Sequence, residues 1–583
     1  MREIFELPGD EGQGKVVPLS EAILQATTPG MRLHICLGND PNAALCEIIR
    51  QFWGTEPKFT LISSGVTTPY LISLIHCRLV KKIITANCSY TYPVPRPIPL
   101  LQEAEKKGLI EIESWSLYSL EQRLMAGALG TGFMPTKSIM GTSLAEENAD
   151  SFQIVNDPFD GKTKQGVVRA LEPDISLIHG CVADTYGNTI LTPPYFTSLW
   201  GPRASKNGVI VTVEKLVSSE FIREHSSLVK IPGYLVRSVS VVPFGAHPQG
   251  SAGKAVGIDE GYSEDYDFIL DYQEASQDPG KLDAWLNEWV IDCPAQEGYL
   301  RKLGSERITS LKRKASRNAW EYELGSNFTF ISGAEESNPT EMMVVAAARD
   351  VKKKVIQGGY QTVLAGIGAP GLAAWLAYYL LQKEGHNVDL LTGTGLVGYA
   401  PRPGDPFLMT PSNLMTCKML TDTVEVYGTF VGGARSKCLS VLGAAQIDKY
   451  GNINTQKIND LFFIGPGGGG DAINARESLV VARQSPERLI ENVPFVTCPG
   501  NKVKTLVTNL GVFEKLEKDE TFTLTKYFTG PGFLTREARV REIKENCGWE
   551  LKIAQALEES EPPTAEELAI LRSLDPQGLF IGK

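Results

Sequence analysis

A motif that occurs once in each half of the chain constrains the fold more than any other feature of the sequence. The pattern Asp-x-Tyr-Gly-Asn begins at Asp184 and again at Asp448. A proline turn recurs at Pro41 and Pro370, and the helix, strand and turn signals around these residues follow in the same order in both halves. The sequence therefore predicts two related domains on one chain, with a site in the cleft between them.

Length and charge agree with two globular domains. A chain of 583 residues is too long for one hydrophobic core. Apolar residues make up 42% of it, and its net charge of −11 is unsuited to holding a polyanion by bulk electrostatics. We therefore expect no nucleic-acid partner.

The cysteines and the N-terminus bear on metal binding and location. None of the 10 cysteines forms a Cys-x-x-Cys pair, which predicts reduced thiols and no metal site. The first 15 residues lack the apolar core of a signal peptide, which predicts a cytoplasmic protein. Residues 361–382 are uncharged, but their central Gly-Ile-Gly-Ala-Pro-Gly predicts strand, turn and helix rather than a membrane span.

Short apolar strands alternate with helical stretches along the chain, which predicts an α/β protein with open, mostly parallel sheets. We expect a first domain at 1–325, including a connecting segment, and a second at 326–583, with a helical C-terminal tail. More residues separate the proline turn from Asp-x-Tyr-Gly-Asn in the first half than in the second. This difference predicts an insertion within 87–164.

Glycines at three positions fit the dinucleotide fingerprint Gly-x-Gly-x-x-Gly: Gly366, Gly368 and Gly371 follow one strand and open a helix. The acidic residue that should bind ribose, Asp389, comes before the next strand and not at its far end, so we do not favour a dinucleotide site. A helix N-terminus that offers its N–H groups to an anionic ligand atom remains the more general interpretation.

Two more glycine runs are candidates for backbone contact with a ligand. Gly467 and Gly468 begin a run of four glycines, more than a simple turn needs, and Asp471 follows it to orient the loop or cap a helix. Gly432 and Gly433 give a weaker signal, for which a tight turn is an equal alternative.

The motifs GIGAPGLA, LGAAQIDKYGNIN, FIGPGGGGDAI and FVTCPG in the second half resemble the beta-type subunit of family I coenzyme A transferases of the glutaconate CoA-transferase type. IEIESWSLYSLEQRLMAGALGTGFMPT, PDISLIHGCVADTYGN and VPFGAHPQG in the first half resemble the alpha-type subunit. The resemblance implies two CoA-transferase-type domains fused in one chain, an acyl-CoA substrate, a carboxylic acid acceptor and no permanently bound cofactor. It also implies a homodimer.

The family's catalytic glutamate attacks the thioester and carries CoA as a glutamyl thioester, which is covalent catalysis by a carboxylate. It belongs to a Thr-Glu-x-Gly or Ser-Glu-x-Gly motif. The matching segment here contains Gly393, Thr394 and Gly395, with Gly393 at the position of the glutamate. Three functions remain open: CoA transfer, hydrolase or lyase chemistry on a CoA thioester (carbon–carbon ring cleavage or decarboxylation), and non-catalytic acyl-CoA binding. The acyl group is not specified.

Under hydrolase or lyase chemistry Glu113 is the candidate base. Alternation along its strand puts Glu111 and Glu113 on one face. Within the resembling segment, Glu113 could deprotonate water or a substrate carbon if partial burial raises its pKa. A solvated strand face is the alternative. His179 and His247 could hydrogen-bond substrate, although a structural role is favoured for His179.

Overall fold

The computed structural model describes residues 5–10, 12–326, 336–459, 461–516, 519–529 and 535–582. The chain divides into two compact units. The first comprises the chain up to Tyr92, Arg96–Thr136 and Val167–Ser316. The second comprises Pro93–Pro95, Lys137–Gly166 and the chain from Arg317. Residues 137–166, which belong to the first half of the sequence, are thus part of the second unit.

Helices and strands alternate through both units. The α-helices are α1 Leu19–Ala26, α2 Asn42–Phe52, α3 Pro69–His76, α4 Pro99–Lys106, α5 Leu117–Ala128, α6 Ser143–Glu147, α7 Trp200–Ala204, α8 Ser219–Glu224, α9 Tyr266–Ala275, α10 Pro279–Leu286, α11 Gln296–Leu303, α12 Ser305–Lys314, α13 Ala319–Ser326, α14 Pro339–Gly358, α15 Ala369–Lys383, α16 Pro411–Leu414, α17 Thr423–Glu425, α18 Gly469–Ala472, α19 Arg536–Glu545 and α20 Ala565–Leu574. Two π-helical turns are Asn287–Ile291 and Val426–Val431.

The strands are mostly short. They are β1 Arg32–Ile35, β2 Phe59–Ile62, β3 Val80–Thr85, β4 Glu111–Ser114, β5 Phe133–Thr136, β6 Phe152–Asn156, β7 Lys164–Arg169, β8 Ile175–Ala183, β9 Thr189–Ile190, β10 Val209–Leu216, β11 Val229–Ile231, β12 Val236–Val241, β13 Thr362–Ala365, β14 Asp389–Leu391, β15 Leu396–Tyr399, β16 Met419–Leu420, β17 Cys438–Leu442, β18 Gln446–Ile447, β19 Ile453–Asn454, β20 Lys457–Ile458, β21 Leu461–Phe462, β22 Glu477–Val481, β23 Val503–Val507, β24 Gly511–Glu514, β25 Thr523–Tyr527 and β26 Lys552–Glu559.

A parallel sheet forms the centre of the first unit. Its parallel strands run in the order β4-β3-β2-β1-β8-β10-β12, while β9 and β11 add antiparallel pairs at one end of β8. Every residue of β8 is buried. Such a strand, apolar for most of its length, is typical of a parallel sheet covered on both faces.

The second unit repeats this arrangement. Strands β14-β13-β17-β22-β23 are parallel neighbours, and β15, β16, β24 and β25 extend the sheet with antiparallel pairs. Helices α14 and α15 contribute many residues to the core against this sheet, with Trp375 fully buried among them. Helix α14 begins at a capping box formed by Asn338 and Glu341.

The two sheets have equivalent topologies. The order β2-β1-β8-β10-β12 in the first unit corresponds to β14-β13-β17-β22-β23 in the second, with parallel pairing throughout. The predicted α/β class, with two related and mostly parallel sheets, is confirmed. The cleft between the domains and their boundary at 325/326 stay predictions.

The Asp-x-Tyr-Gly-Asn motif forms a hydrogen-bonded loop in the first unit. The buried carboxylate of Asp184 accepts hydrogen bonds from the backbone N–H groups of Gly187 and Asn188, both at 2.8 Å, and from the Asn188 side chain at 2.9 Å. The Asn188 side chain in turn accepts from the Gly233 N–H at 2.8 Å. The motif therefore fixes a turn and joins it to a second segment.

Its counterpart in the second unit has a similar network. Asp448 accepts from the backbone N–H groups of Tyr450 and Asn452 at 2.9 Å, and from the Asn452 side chain at 3.0 Å. The Asn452 side chain accepts from the Gly500 N–H at 2.8 Å. Both motifs are structural, because their polar groups are used within the loops. None of the helices in the described ranges is long and apolar enough to cross a membrane.

Candidate active site

A cavity of about 600 Å³ opens in the second unit. Most of its residues come from segments that directly precede strands β17, β22 and β23, and the others come from the segment that follows β5. They are Lys137, Met140, Gly141, Gly432, Gly433, Ser436, Ile473, Asn474, Arg476, Pro499, Asn501 and Lys502. The cavity therefore lies at the amino ends of these parallel strands.

Gly393 lies in the turn between β14 and β15, and it has no room for a side chain. A Cβ atom at this position would be 2.1 Å from the Tyr427 hydroxyl oxygen and 2.7 Å from Cζ of the same ring. Thr423 donates a hydrogen bond to the Gly393 carbonyl at 2.9 Å, which holds the turn against the segment that contains Tyr427. The tyrosine hydroxyl thus fills the space that a side chain at position 393 would need.

Tyr427 connects this turn with the cavity. The ring is buried in the π-helical turn, while its backbone carbonyl accepts a hydrogen bond from the N–H of the cavity residue Gly432 at 2.9 Å. Burial raises the pKa of the Tyr427 hydroxyl well above its ordinary value, and the nearby negative charge of Asp471 adds to this effect. Tyr427 is therefore a neutral hydrogen-bond donor at physiological pH.

Asp471 is a buried residue of the short helix α18, and it ties a distant segment to the glycine run. Ser138 donates a hydrogen bond from its hydroxyl to the Asp471 carboxylate at 2.6 Å. Ser143 strengthens this connection through hydrogen bonds with the backbone of Val496 at 2.9 and 3.0 Å. The segment that begins at Lys137 therefore completes one wall of the cavity.

The structure separates the predicted glycines into two groups. Gly432 and Gly433 line the cavity. A Cβ atom at Gly433 would be 2.2 Å from the Thr429 carbonyl oxygen, so close backbone packing also requires this glycine. Gly467 has φ of +51° and open space around it, and Gly468 directly precedes α18. Neither of these two lines the cavity.

The fingerprint glycines are explained by packing. A Cβ atom at Gly366 would be 2.6 Å from the Val441 carbonyl oxygen, and one at Gly371 would be 2.5 Å from the Gly366 carbonyl oxygen. Gly368 precedes α15 with φ of +81°, a conformation that favours glycine. These residues follow the carboxyl end of β13, so the structure does not place them in the cavity wall.

Comparison with known proteins identifies the relationship. The family described as Coenzyme A transferase matches residues 17–241. The chain is 29% identical to one of the two glutaconate CoA-transferase polypeptides of Acidaminococcus fermentans, over 51% of this chain and 94% of that polypeptide. The other polypeptide of the enzyme from the same organism matches at 23% identity, over 41% of this chain and 94% of its own length. The chain is therefore similar in sequence to coenzyme A transferases.

A solved structure shows the same fold in a single polypeptide. An acyl-CoA transferase from Escherichia coli O157:H7, solved as a thioester complex with CoA, superposes with a TM-score of 0.64. The match covers 94% of this chain and 95% of that one, at 16% identity. The coenzyme A transferase fold therefore extends over nearly the whole chain, consistent with both subunit types in one polypeptide.

Glu113 does not have the raised pKa that a catalytic base would need. Its carboxylate accepts hydrogen bonds from Arg123 at 2.7 Å and from the Trp115 indole at 2.8 Å, and Lys82 lies at 2.9 Å. Burial alone would raise the Glu113 pKa, but these partners outweigh it and lower the pKa. The condition under which Glu113 could act as a base, a raised pKa, is not met, because the sequence did not reveal the cations around this carboxylate.

Both histidines singled out from the sequence are held in hydrogen-bonded networks. The buried His179 ring contacts Thr212 at 2.9 Å and Glu214 at 2.8 Å. The His247 ring contacts Asp265 through Nε2 at 3.0 Å and Tyr299 through Nδ1 at 2.6 Å, and burial lowers the pKa of this histidine. These contacts use both ring nitrogens of each histidine. The geometry supports structural roles.

Sequence reasoning missed the charged residues of the cavity and one buried acid. Lys137, Arg476 and Lys502 are cavity residues that no motif marked, because they come from separate loops. In the first unit, Asp40 follows β1 and is buried, and burial raises its pKa to about 7. An acidic residue beside the proline of a turn was the only sequence signal for it. Across the described ranges, no three His, Cys, Asp or Glu side chains group as a metal site requires.

Proposed function

We propose that this chain is an enzyme that hydrolyses or cleaves an acyl-CoA thioester without a glutamyl-CoA intermediate at position 393. The relationship to coenzyme A transferases supports an acyl-CoA substrate. The observation that carries the proposal is the Tyr427 hydroxyl, 2.1 Å from where a Cβ atom of residue 393 would lie. Neither the residue present nor the space around it supplies the family's nucleophilic carboxylate.

Tyr427 is the residue that we assign to the chemistry. A neutral, buried hydroxyl donates a hydrogen bond to an oxygen that becomes negative during the reaction, as an oxyanion-hole donor does. In hydrolysis, water adds to the thioester carbonyl carbon, the C–S bond breaks, and the CoA thiolate leaves and takes up a proton. In hydrolytic carbon–carbon cleavage, water adds to a carbonyl carbon bonded to the α-carbon and the bond between these two carbons breaks. The same donor stabilises the thioester enolate until its α-carbon takes up a proton. Neither reaction needs a side chain at position 393.

The other substrate-binding residues predicted from the sequence belong to this proposal. The backbone of Gly432 and Gly433 lines the cavity. Thr394 and Gly395 continue the turn after Gly393, and the hydroxyl groups of Thr392 and Thr394 share a hydrogen bond at 2.8 Å. Gly366, Gly368, Gly371, Gly467 and Gly468 remain predicted ligand contacts, for which the structure supports packing or turn roles. CoA enters as part of the substrate, and no cofactor is required.

A location in the cytoplasm and a homodimer complete the proposal. The fused chain would pair with a second copy, as the resemblance to the family implies. Light scattering combined with size-exclusion chromatography measures this state directly, and a monomer at micromolar concentration would contradict the homodimer.

The test combines product analysis with detection of covalent CoA. The full chain is incubated with linear, dicarboxylic and cyclic acyl-CoA thioesters, and both products and intact protein mass are recorded. We expect product from at least one ester and no CoA adduct on the protein. In the Tyr427→Phe variant, kcat should fall about 100-fold, the typical effect of removing an oxyanion donor, while KM changes little.

Each alternative function has its own outcome. A glutamyl-CoA adduct together with acceptor-dependent product would establish CoA transfer and refute the proposal. Binding of acyl-CoA without turnover of any ester would indicate a non-catalytic binding protein.

Glu113→Gln serves as a comparison. Because its pKa is lowered by ion pairing, we expect this substitution to reduce stability rather than abolish turnover. Complete loss of kcat in a folded variant would restore Glu113 as the base.

A further inference from the structure

Three buried oxygen atoms of the second unit have no hydrogen-bond partner among the described residues. They are Oδ2 of Asp350 on helix α14, Oγ1 of Thr505 on strand β23 and Oγ1 of Thr523 on strand β25. The exposed fractions of these residues are 8%, 0% and 4%. Because a polar group buried without a partner is unfavourable, three such atoms in one region indicate a bound species that they contact.

Strand register places the two threonines on one face of the sheet. Thr505 is directly opposite Glu514 of β24, and Glu514 is directly opposite Thr523. Directly opposite residues of antiparallel strands point to the same face, with Cβ atoms roughly 5 Å apart. Glu514 therefore lies between the two threonines. These three residues form a polar row across β23, β24 and β25.

Helix α14 packs against the face that carries the polar row. Val507 and Val512 are paired in register, each two residues from a member of the row on its own strand, so they share the face of the row. Both valines belong to the hydrophobic core that contains the buried residues of α14, among them Ala347 and Val351. The polar row therefore faces α14.

Asp350 lies on α14 within reach of the charges on this face. Burial raises the pKa of its carboxyl group, the positive charge of Lys526 lowers this pKa, and the negative charge of Glu514 raises it. Lys526 is paired in register with Val512, so its side chain is on the same face as the polar row. Within the part of the chain that the structure describes, neither Asp350 nor Glu514 forms an ion pair, and Lys526 is 3.9 Å from Glu558.

The donor atoms and the net charge of Asp350 and the polar row favour an alkali cation. Two carboxylates and two hydroxyls present only oxygen, the ligand that hard cations prefer. Lys526 offsets one of the two negative charges, so a singly charged ion leaves the group of side chains neutral. Groups of three or more His, Cys, Asp or Glu side chains, which would suit a divalent metal, do not occur among the described residues.

We propose that Asp350 and the polar row bind a sodium or potassium ion between α14 and strands β23 to β25. The ion contacts the three oxygen atoms that have no partner in the protein and joins the helix to this part of the sheet. None of these residues lines the cavity of the candidate active site. The inference therefore goes beyond the proposed function and does not depend on it.

Thermal unfolding in matched salts tests the assignment. The full chain, treated with EDTA to remove divalent ions, is unfolded in sodium, potassium or choline chloride at equal ionic strength. We expect sodium or potassium to raise the melting temperature above its value in choline by about 3 °C at ten times the dissociation constant of the ion. Equal melting temperatures in the three salts would overturn the inference. A shift given by calcium or magnesium and not by either alkali ion would also overturn it.

Threonine variants locate the ion. Thr505→Val and Thr523→Val keep the shape of the side chain and remove the hydroxyl, so each should remove most of the salt-specific shift. Without a bound ion, the loss of a buried hydroxyl that has no partner should instead raise the melting temperature equally in all three salts. That equal rise, or a salt-specific shift that survives in both variants, would contradict the proposal. Thr525→Val is the matched control on β25, because its hydroxyl donates to the Val512 carbonyl at 3.3 Å, and it should keep the shift.

Discussion

Replacing Gly393 by alanine should destabilise the second unit, because the added methyl group has no space. Its Cβ atom would be 2.1, 2.7 and 2.9 Å from the hydroxyl oxygen and two ring carbons of Tyr427. Overpacking of a buried site costs roughly 1–3 kcal/mol, and the alanine regains about 0.5 kcal/mol through the unfolded state. We therefore expect a net loss of about 1.5 kcal/mol.

The assay is differential scanning calorimetry of the full chain, in which the shift in the melting temperature of each unfolding transition is measured. Gly443→Ala is the matched control, because its Cβ atom would meet only the Pro370 ring, at an ordinary 3.6 Å. We expect this control to remain within about 0.5 kcal/mol of the parent protein. Combining Gly393→Ala with Tyr427→Phe removes the atom at 2.1 Å, so the double variant should be more stable than the sum of the single effects predicts.

Equal melting of the Gly393→Ala and Gly443→Ala variants would refute this reasoning. It would mean that the Tyr427 side chain moves aside at little cost in stability, so that a longer side chain could also be accommodated at position 393. The absence of a carboxylate would then be a matter of sequence alone, and the structural argument for chemistry without a glutamyl intermediate would lose its main support.

Three further predictions concern the same residues and two carboxylates. Gly393→Glu alone should form no CoA adduct, whereas Gly393→Glu with Tyr427→Ala makes space for the carboxylate and should give an adduct detectable by mass spectrometry. Glu113→Gln should lower the free energy of unfolding by about 3 kcal/mol at pH 7, because it leaves Arg123 buried without its anion. The stability difference between wild type and variant should shrink as pH falls below 4.5, because the folded state lowers the pKa of Glu113 and this contribution is lost as the carboxylate is protonated. Asp40→Asn should stabilise the protein above pH 7 by about 4 kcal/mol, at roughly 1.4 kcal/mol per pKa unit, because burial raises the pKa from 3.8 to about 7. Thermal denaturation from pH 3 to 8 measures both carboxylate effects, and for Asp40→Asn the gain should disappear near pH 3, where the wild-type carboxyl is protonated in the folded and unfolded states alike.

The duplicated fold was predictable because its signals are local. Asp184 and Asp448 each accept hydrogen bonds from backbone N–H groups two to four residues further along the chain, so nearby residues determine the geometry of the turn. The glycine and proline signals that place α15 after β13 are equally local. Such local features can be recognised in a single sequence without knowledge of tertiary contacts.

The composition of the cavity was not predictable in the same way. Ser138 and Asp471 are 333 residues apart in sequence yet share a hydrogen bond, and the segment containing Ser138 belongs to the second unit. No periodicity or turn signal encodes such a contact. For the same reason, Glu113 could be placed on the correct face with Glu111, since Lys82 contacts both, but the effect of Arg123 on its pKa required the fold.

At position 393, the space that a side chain would need is occupied by another residue. A glycine in place of a carboxylate, taken alone, is compatible with simple loss of function, because an empty space would remain where the side chain had been. Here the hydroxyl of the buried Tyr427 fills that space, and burying a hydroxyl is unfavourable unless it is hydrogen-bonded. A nonpolar ring would fill the same volume at lower cost. A structural hydrogen bond or a chemical role would each offset the burial of this hydroxyl, and kcat of the Tyr427→Phe variant distinguishes the two.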